Sequence, residues 1–254
     1  LSNGSPDDFD ALVTEALAQS FRGWDFSWLR GRWVEDEPPW DYRTLVTERI
    51  RAAEAMLDMG TGGGEFLASL PARPPLTVAT EAYPPNLPVA RERLGPLGIQ
   101  VVEVTDEHAL ALPDATFDLV INRHEYYDVA ELRRILRPGG LFLTQQVGMS
   151  ELSELNDFLG APPYSAEPWW GLDDEVSQLK ANGFEVTRVE QAFPASVFHD
   201  VGAVVYVLKV IEWQIPDFSV ERYRGRLLAL HDHIRRRGPF QTHADRCLIE
   251  ARRQ

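Results

Sequence analysis

The segment Leu57-Asp58-Met59-Gly60-Thr61-Gly62-Gly63-Gly64-Glu65-Phe66 constrains the fold of this chain more than any other. The short apolar run Ala55–Met59 leads into it, and a helical pattern through Phe66, Leu67 and Leu70 follows. Glycines at 60, 62 and 64 permit positive φ and let a ligand approach the main chain closely. A glycine-lined bend between a strand and a helix is the opening unit of a nucleotide-binding α/β sheet, with the helix N-terminus behind the ligand.

The spacing departs from the G-x-G-x-x-G of dinucleotide folds, because position 65 is Glu. Carboxylates at 58 and 65 repel a pyrophosphate and suit a ligand carrying positive charge and an amino group. S-adenosylmethionine, with its sulfonium and α-ammonium, fits that demand better than a nicotinamide dinucleotide. Glu81 ends the next strand, 17 residues after Gly64, where an acidic side chain can accept hydrogen bonds from ribose hydroxyls.

Short β-rich runs then alternate with helical patterns. Thr77–Glu81, Ile99–Thr105, Phe117–Asn122 and Leu141–Val147 read as further strands, the last opened by Pro138-Gly139-Gly140. Val129, Leu132, Ile135 and Leu136 share one helical face. This alternation predicts a doubly wound parallel sheet with right-handed crossovers. Phe184–Ala192 and Ala203–Ile211 show no convincing helix between them and are expected to pair antiparallel at the sheet edge. Val220–Ile234 predicts a helix, with Arg235–Arg237 at its negative end and Gly238-Pro239 as its stop.

Thr105-Asp106-Glu107 closes the third strand and is followed by Leu110-Ala111-Leu112-Pro113-Asp114-Ala115-Thr116-Phe117-Asp118-Leu119-Val120. Leu136-Arg137-Pro138-Gly139-Gly140 precedes the fifth strand. With these motifs the chain resembles the class I S-adenosylmethionine-dependent methyltransferases, particularly the small-molecule type 11 group, over roughly residues 50–148. The resemblance implies a Rossmann-like seven-stranded sheet of order 3-2-1-4-5-7-6 with strand 7 antiparallel. It also implies that Gly60, Gly62 and Gly64 line the methionine portion of the cofactor, Glu81 the ribose and Asp106 the adenine amino group. Asp58 would orient the ammonium, and Thr61, Ala82, Glu107 and Asn122 belong to the same set. Only 15 residues separate Asn122 from Pro138, so the helix after the fourth strand must be short.

Methyl transfer from a sulfonium is an in-line displacement, and alignment and desolvation of the acceptor are the protein's main tasks. A base is needed only where the acceptor must lose a proton. Asn122-Arg123-His124-Glu125-Tyr126 follows the fourth strand, at the carboxyl ends where open α/β sheets bind ligands. His124 is the first choice for a general base, with Glu125 as orienter or alternative; a packing role for His124 competes with this. His199, in His199-Asp200, is a second candidate whose bland alternative is a hydrogen-bonded turn. Gln145 and Gln146 could bind a polar acceptor, although strand alternation should send one of them into a helix layer. His108 is expected to be a contact only. Arg43, on a helix opened by Pro39-Trp40-Asp41, is a candidate partner for the methionine carboxylate. His231 and His233 cannot share a helix face, and no metal is expected.

Two aromatic segments, Trp24 through Tyr42 and Pro162 through Trp170, could cover the crevice and favour an aromatic or hydrophobic acceptor. Most of these rings are expected simply to pack the N-terminal segment onto the core. The expected organisation is an N-terminal helical and aromatic cap over residues 1–50 and a cofactor-binding domain over 51–216 with an insertion at 149–171. A basic C-terminal helix and tail, 217–254, would pack on that domain.

Composition narrows the partners. With 25 basic and 39 acidic residues the net charge is −14, which argues against a broad grip on nucleic acid. An RNA methyltransferase recruiting through the basic C-terminal stretch, and a non-catalytic cofactor-binding partner of another enzyme, remain as alternatives. The one cysteine excludes an intrachain disulfide framework. No apolar run approaches the roughly 20 residues of a membrane helix, and the first residues lack the pattern of a secretory signal. A cytoplasmic protein acting on a small molecule is the expectation, with oligomeric state open.

Overall fold

A computed structural model of the chain describes residues 6–21, 24–164 and 171–254. From the N-terminus come α1 (Pro6–Ala18), β1 (Trp33–Glu35), α2 (Tyr42–Ile50), β2 (Ala55–Met59), α3 (Glu65–Ala68) and β3 (Leu76–Glu81). Next are α4 (Asn86–Leu94), β4 (Gln100–Glu103), β5 (Phe117–Arg123), α5 (Val129–Ile135), β6 (Leu136–Val147) and α6 (Ser153–Leu159). The rest is α7 (Leu172–Ala181), β7 (Phe184–Ala192), β8 (Ala195–Phe198), α8 (Val201–Val210), α9 (Val220–Arg237), β9 (Phe240–His243) and β10 (Arg246–Arg253).

The main sheet runs β4-β3-β2-β5-β6-β10-β7. Counted along the chain among these seven strands alone, the order is 3-2-1-4-5-7-6, as the motifs imply. Strands β2 to β6 pair in parallel, and β10 is antiparallel to both its neighbours. β2 is central, with Leu57 between Val78 and Val120, and all five of its residues are buried. A strand covered on both faces must be apolar throughout, which is why Ala55–Met59 does not alternate. Met56 faces a core with Val46 and Ile50 of α2 and Leu87 and Leu94 of α4. Leu57 faces the opposite core, with Leu132 and Ile135 of α5 and Leu179 of α7.

One expected strand is a helix. Val201–Val210 forms α8, opened by Asp200, whose side chain accepts the Ala203 N–H at 2.9 Å. The valine-rich run has strand propensity, but eight of the helix's ten residues, Val201–Leu208, are buried, and an apolar helix surrounded by protein is stable wherever tertiary packing supplies all of its neighbours. The seventh strand is instead β10, inside the stretch expected to be a helix and tail. Its Leu248, Ile249 and Ala251 are fully buried between β6 and β7.

Beside the sheet lies a second assembly. β1, β8 and β9 make a small antiparallel sheet. Phe9, Val13, Leu29, Leu155, Tyr206 and Leu227 bring α1, α6, α8 and α9 into one apolar cluster with it. Most of the N-terminal aromatics are consumed here, as expected. Trp33 stacks on Phe198 at 5.6 Å and donates its indole N–H to Ser196 Oγ at 2.7 Å, and Trp28 packs on Tyr206 at 4.8 Å.

Candidate active site

The glycine bend has the backbone its sequence demands. Gly60, Gly62 and Gly64 adopt φ of +70°, +61° and +80°, a region closed to most side chains. A Cβ on Gly60 would fall on the Glu125 side chain, and one on Gly64 would lie 2.8 Å from Leu94 Cγ. The Gly60 amide donates to Thr80 Oγ1 at 3.3 Å and the Thr61 amide to Thr80 O at 2.9 Å, so β3 holds the bend's shape. Thr61 Oγ1 donates to Asp58 Oδ2 at 2.8 Å. Burial pushes the Asp58 carboxyl up to about 7; the Thr61 hydrogen bond opposes this and the Glu81 charge adds to it.

Glu65, read from sequence as a charge facing the ligand, is tied to Arg93 of α4, which also donates to the Gly63 carbonyl. Glu81 is 3% exposed, and its Oε1 accepts the Tyr83 amide at 2.7 Å. Burial raises its pKa, while the backbone amides of Tyr83 and Gly62 and the Asn86 side chain pull it down.

A pocket opens at the carboxyl ends of β2, β3 and β5. Met59, Gly60, Ala82, Glu107, Leu110 and Glu125 are among its walls. Gly60, Ala82, Glu107 and Glu125, all singled out from sequence, are brought together here. Asp106 is not among the lining residues: it is exposed, and its Oδ1 accepts the His108 amide at 2.9 Å, shaping the turn that presents Glu107. His108 is exposed and pairs with Asp128 at 2.7 Å, which raises its pKa. Arg43 stacks its guanidinium 5.3 Å from the Phe66 ring and donates to Ser69 O at 3.2 Å, beyond the far end of α3.

His124 takes φ +58° at the end of β5, with its amide donating to Gln145 O at 2.9 Å. This left-handed turn carries Glu125 over Gly60. A network behind it holds the position. Trp40 Nε1 donates to Gln145 Oε1 at 2.8 Å, which leaves the Gln145 amide nitrogen 3.2 Å from His124 Nε2. An amide nitrogen can only donate, so His124 Nε2 is the acceptor and is unprotonated. Burial, Arg246 and Arg123 all hold the His124 pKa well below its ordinary value. Gln146 Nε2 donates to Asn122 Oδ1 at 2.6 Å and to Glu125 O at 2.9 Å. Both glutamines thus position the loop. Asn122 is fully buried; Thr144 and Gln146 saturate its carbonyl oxygen, while its Nδ2 has no partner among the described residues.

Glu125 differs from His124 in chemistry. Burial raises its carboxyl to about 7, and the charges of Glu81 and Glu107 add to the effect. His199 is not brought to the pocket: it is exposed in the turn between β8 and α8, with its amide donating to Arg32 O. Its neighbour Asp200 is engaged by the Arg32 guanidinium at 2.8 and 2.7 Å.

Sequence reasoning missed Arg246, which begins β10 and is 6% exposed. It donates to Glu151 Oε2 at 2.6 Å and to both oxygens of Glu35 at 2.7 and 2.9 Å. Its partners lie 95 and 211 residues away, so no local pattern could mark it. Of the aromatic cover, residues 165–170, with Trp169 and Trp170, lie outside the described residues, while Tyr164 is buried. The arginines of the basic helix α9 pair at the surface with the chain's own acids: Arg222 with Asp217, Arg224 with Asp10 and Arg236 with Asp232. Among the described residues no helix is long and apolar enough to cross a membrane.

A twisted α/β sheet with a glycine bend at its central strand and carboxylates at the adjoining strand tips defines a nucleoside-cofactor protein of Rossmann type. Residues 57–144 match the family model of the methyltransferase domain, so this part of the chain is similar to methyltransferase domains. It is 31% identical over 150 residues to a malonyl-acyl-carrier-protein O-methyltransferase of Marinomonas, covering 53% of this chain and 52% of that one. It is 35% identical over 130 residues to a ubiquinone biosynthesis O-methyltransferase of Ruegeria pomeroyi, covering 47% and 51%. The chain thus spans about half the length of these curated relatives. Solved structures share the fold. A Bacillus halodurans protein assigned as a methyltransferase superposes with TM-score 0.61 at 17% identity, covering 83% of this chain and 98% of that one. The 4+2 cyclase SpnF superposes with TM-score 0.54 at 15% identity, covering 96% and 92%.

Proposed function

We propose that the protein transfers a methyl group from S-adenosylmethionine to an oxygen of a small organic acceptor with an apolar body. The observation that carries this reading is the positive-φ glycine bend at the carboxyl end of the central strand, with Glu107 and Glu125 in the wall of its pocket and Glu81 at the adjoining strand tip, an acidic setting suited to a cationic nucleoside. The names of the two curated relatives, both O-methyltransferases, support oxygen as the acceptor atom.

When bound, S-adenosylmethionine supplies an electrophilic methyl on its sulfonium. Gly60, Thr61, Gly62 and Gly64 would hold the methionine portion, Glu81 the ribose, and Ala82 and Glu107 the adenine side. Asp58 supports the bend from beneath through Thr61. Glu125 is the base in this reading. Its carboxylate takes the proton of an acceptor hydroxyl, and a pKa near 7 matches that task at neutral pH. His124 serves as a positioning residue, because its Nε2 lone pair is engaged by Gln145 and an imidazolium there would face Arg246 and Arg123.

Calorimetric titration tests the cofactor. S-adenosylmethionine and S-adenosylhomocysteine should bind the chain, and NAD should not. A preference for NAD would sink the proposal. Tight cofactor binding with no transfer of labelled methyl to any of a broad set of phenols, alcohols and carboxylic acids would favour a non-catalytic binding protein.

A further inference from the structure

Two indoles at the edge of the glycine bend have no role in the chemistry described so far. Trp24 lies against the bend: its Cβ is 3.6 Å from where a Cβ on Gly62 would sit. Trp213 lies parallel to it, with ring centroids 6.3 Å apart and 6° between the planes. They come from opposite ends of the chain, 189 positions apart, and each leaves more than two-fifths of its surface open, 43% for Trp24 and 44% for Trp213.

Trp24 is held from behind, and the chain at Trp213 is anchored beside it. Phe21 and Phe26 meet Trp24 edge-on at 5.7 and 5.4 Å. Trp213 precedes Gln214, which is buried and donates to Glu151 O at 2.9 Å and Asn156 Oδ1 at 3.0 Å. Asn156 Nδ2 in turn donates to Gln214 O at 3.2 Å. Two parallel, half-open indoles beside the bend present apolar faces on which a flat ring can stack.

We infer that Trp24 and Trp213 form the acceptor's recognition surface, selecting a flat aromatic ring by stacking beside the cofactor bend. This rests on the methyltransferase reading above and adds to it the class of acceptor and the residues that choose it. Aromatic pairs at this spacing gain from offset stacking or edge-to-face contact, which a saturated ring of the same size cannot supply.

The test uses 2-naphthol as the flat probe, followed by its own fluorescence anisotropy with S-adenosylhomocysteine saturating, and 2-decalol as the saturated competitor. Expected are saturable 2-naphthol binding, at least fivefold weaker competition by 2-decalol, and loss of about tenfold in 2-naphthol affinity in Trp24→Leu and Trp213→Leu. Trp213→Phe should recover most of that loss. S-adenosylhomocysteine affinity of the Trp213 variants, read by calorimetry, should stay within about twofold of the parent, which also reports that they fold. Equal binding of the two probes, or unchanged 2-naphthol affinity in the leucine variants, would overturn the inference and leave the methyltransferase reading standing. Failure of S-adenosylhomocysteine to bind the parent chain would overturn both. Concentration-dependent dimerisation abolished by Trp213→Leu would assign the surface to a second copy and overturn the inference as well.

Discussion

Glu125 and His124 are neighbours in sequence and opposites in chemistry. The imidazole is neutral, engaged and flanked by guanidiniums; the carboxyl is drawn up to about 7 by burial and by two other carboxylates. If Glu125 takes the acceptor's proton, turnover on a hydroxyl acceptor should rise with pH through about 7 and level off above it. Glu125→Gln should flatten that profile and lower turnover about a hundredfold or more, within the range general bases contribute. Stability gives an independent reading of the same group. A carboxyl whose folded pKa exceeds its ordinary 4.5 contributes stability below that value, and this contribution is lost as pH rises through about 7. The melting temperature of Glu125→Gln should therefore gain on that of the parent between pH 5 and pH 8. Asp58, raised in the same way, leaves part of the decline in place in both proteins. Glu81→Ala should weaken S-adenosylhomocysteine by ~1.5–3 kcal/mol in calorimetry, the worth of a hydrogen bond to a charged group.

At the scale of elements, the bend joining β2 to α3 carries the strictest requirement. Gly64→Ala would combine φ +80° with a methyl 2.8 Å from Leu94 Cγ, in a helix that is itself fully packed at that residue. The expected result is a loss of ~1–3 kcal/mol in chemical denaturation and loss of measurable cofactor binding. α8 shows the opposite situation, in which sequence pattern misleads. Its run of valines satisfies a strand template and a buried-helix template equally. Packing on every side decides between them, and Asp200 secures the helix start by capping the Ala203 amide while pairing with Arg32. Asp200→Ala should cost about 1–3 kcal/mol, combining a lost cap with an unpaired, part-buried guanidinium.

At the scale of the whole molecule, Arg246 fastens the strap carrying Glu35 and the α6 segment carrying Glu151 to the start of β10. Arg246→Met would leave the buried Glu151 and the half-buried Glu35 without a cation, and destabilisation of about 3–5 kcal/mol is expected at neutral pH. Burial already raises both carboxyls, so the variant should recover stability in mild acid as they protonate, and thermal melts at pH 5 and pH 8 would show it. The N-terminal segment is likewise no detachable cover. Phe9, Val13 and Leu29 belong to the core shared by α1, α8 and α9, so its removal would open that core as well as the crevice.

What the sequence determined alone is what local chemistry dictates. Gly60, Gly62 and Gly64 specify a bend, and the alternating runs from 55 to 147 a parallel sheet. Each of these is readable within a few residues of chain, because backbone conformation and side-chain alternation are short-range properties. Tertiary structure alone decided which apolar run became the seventh strand, that His124 is engaged by Gln145, that Glu125 lies over Gly60, and that Trp24 meets Trp213. Those outcomes depend on burial and on charges contributed from positions tens to hundreds of residues away, and burial is a property of the packed molecule that no local window contains.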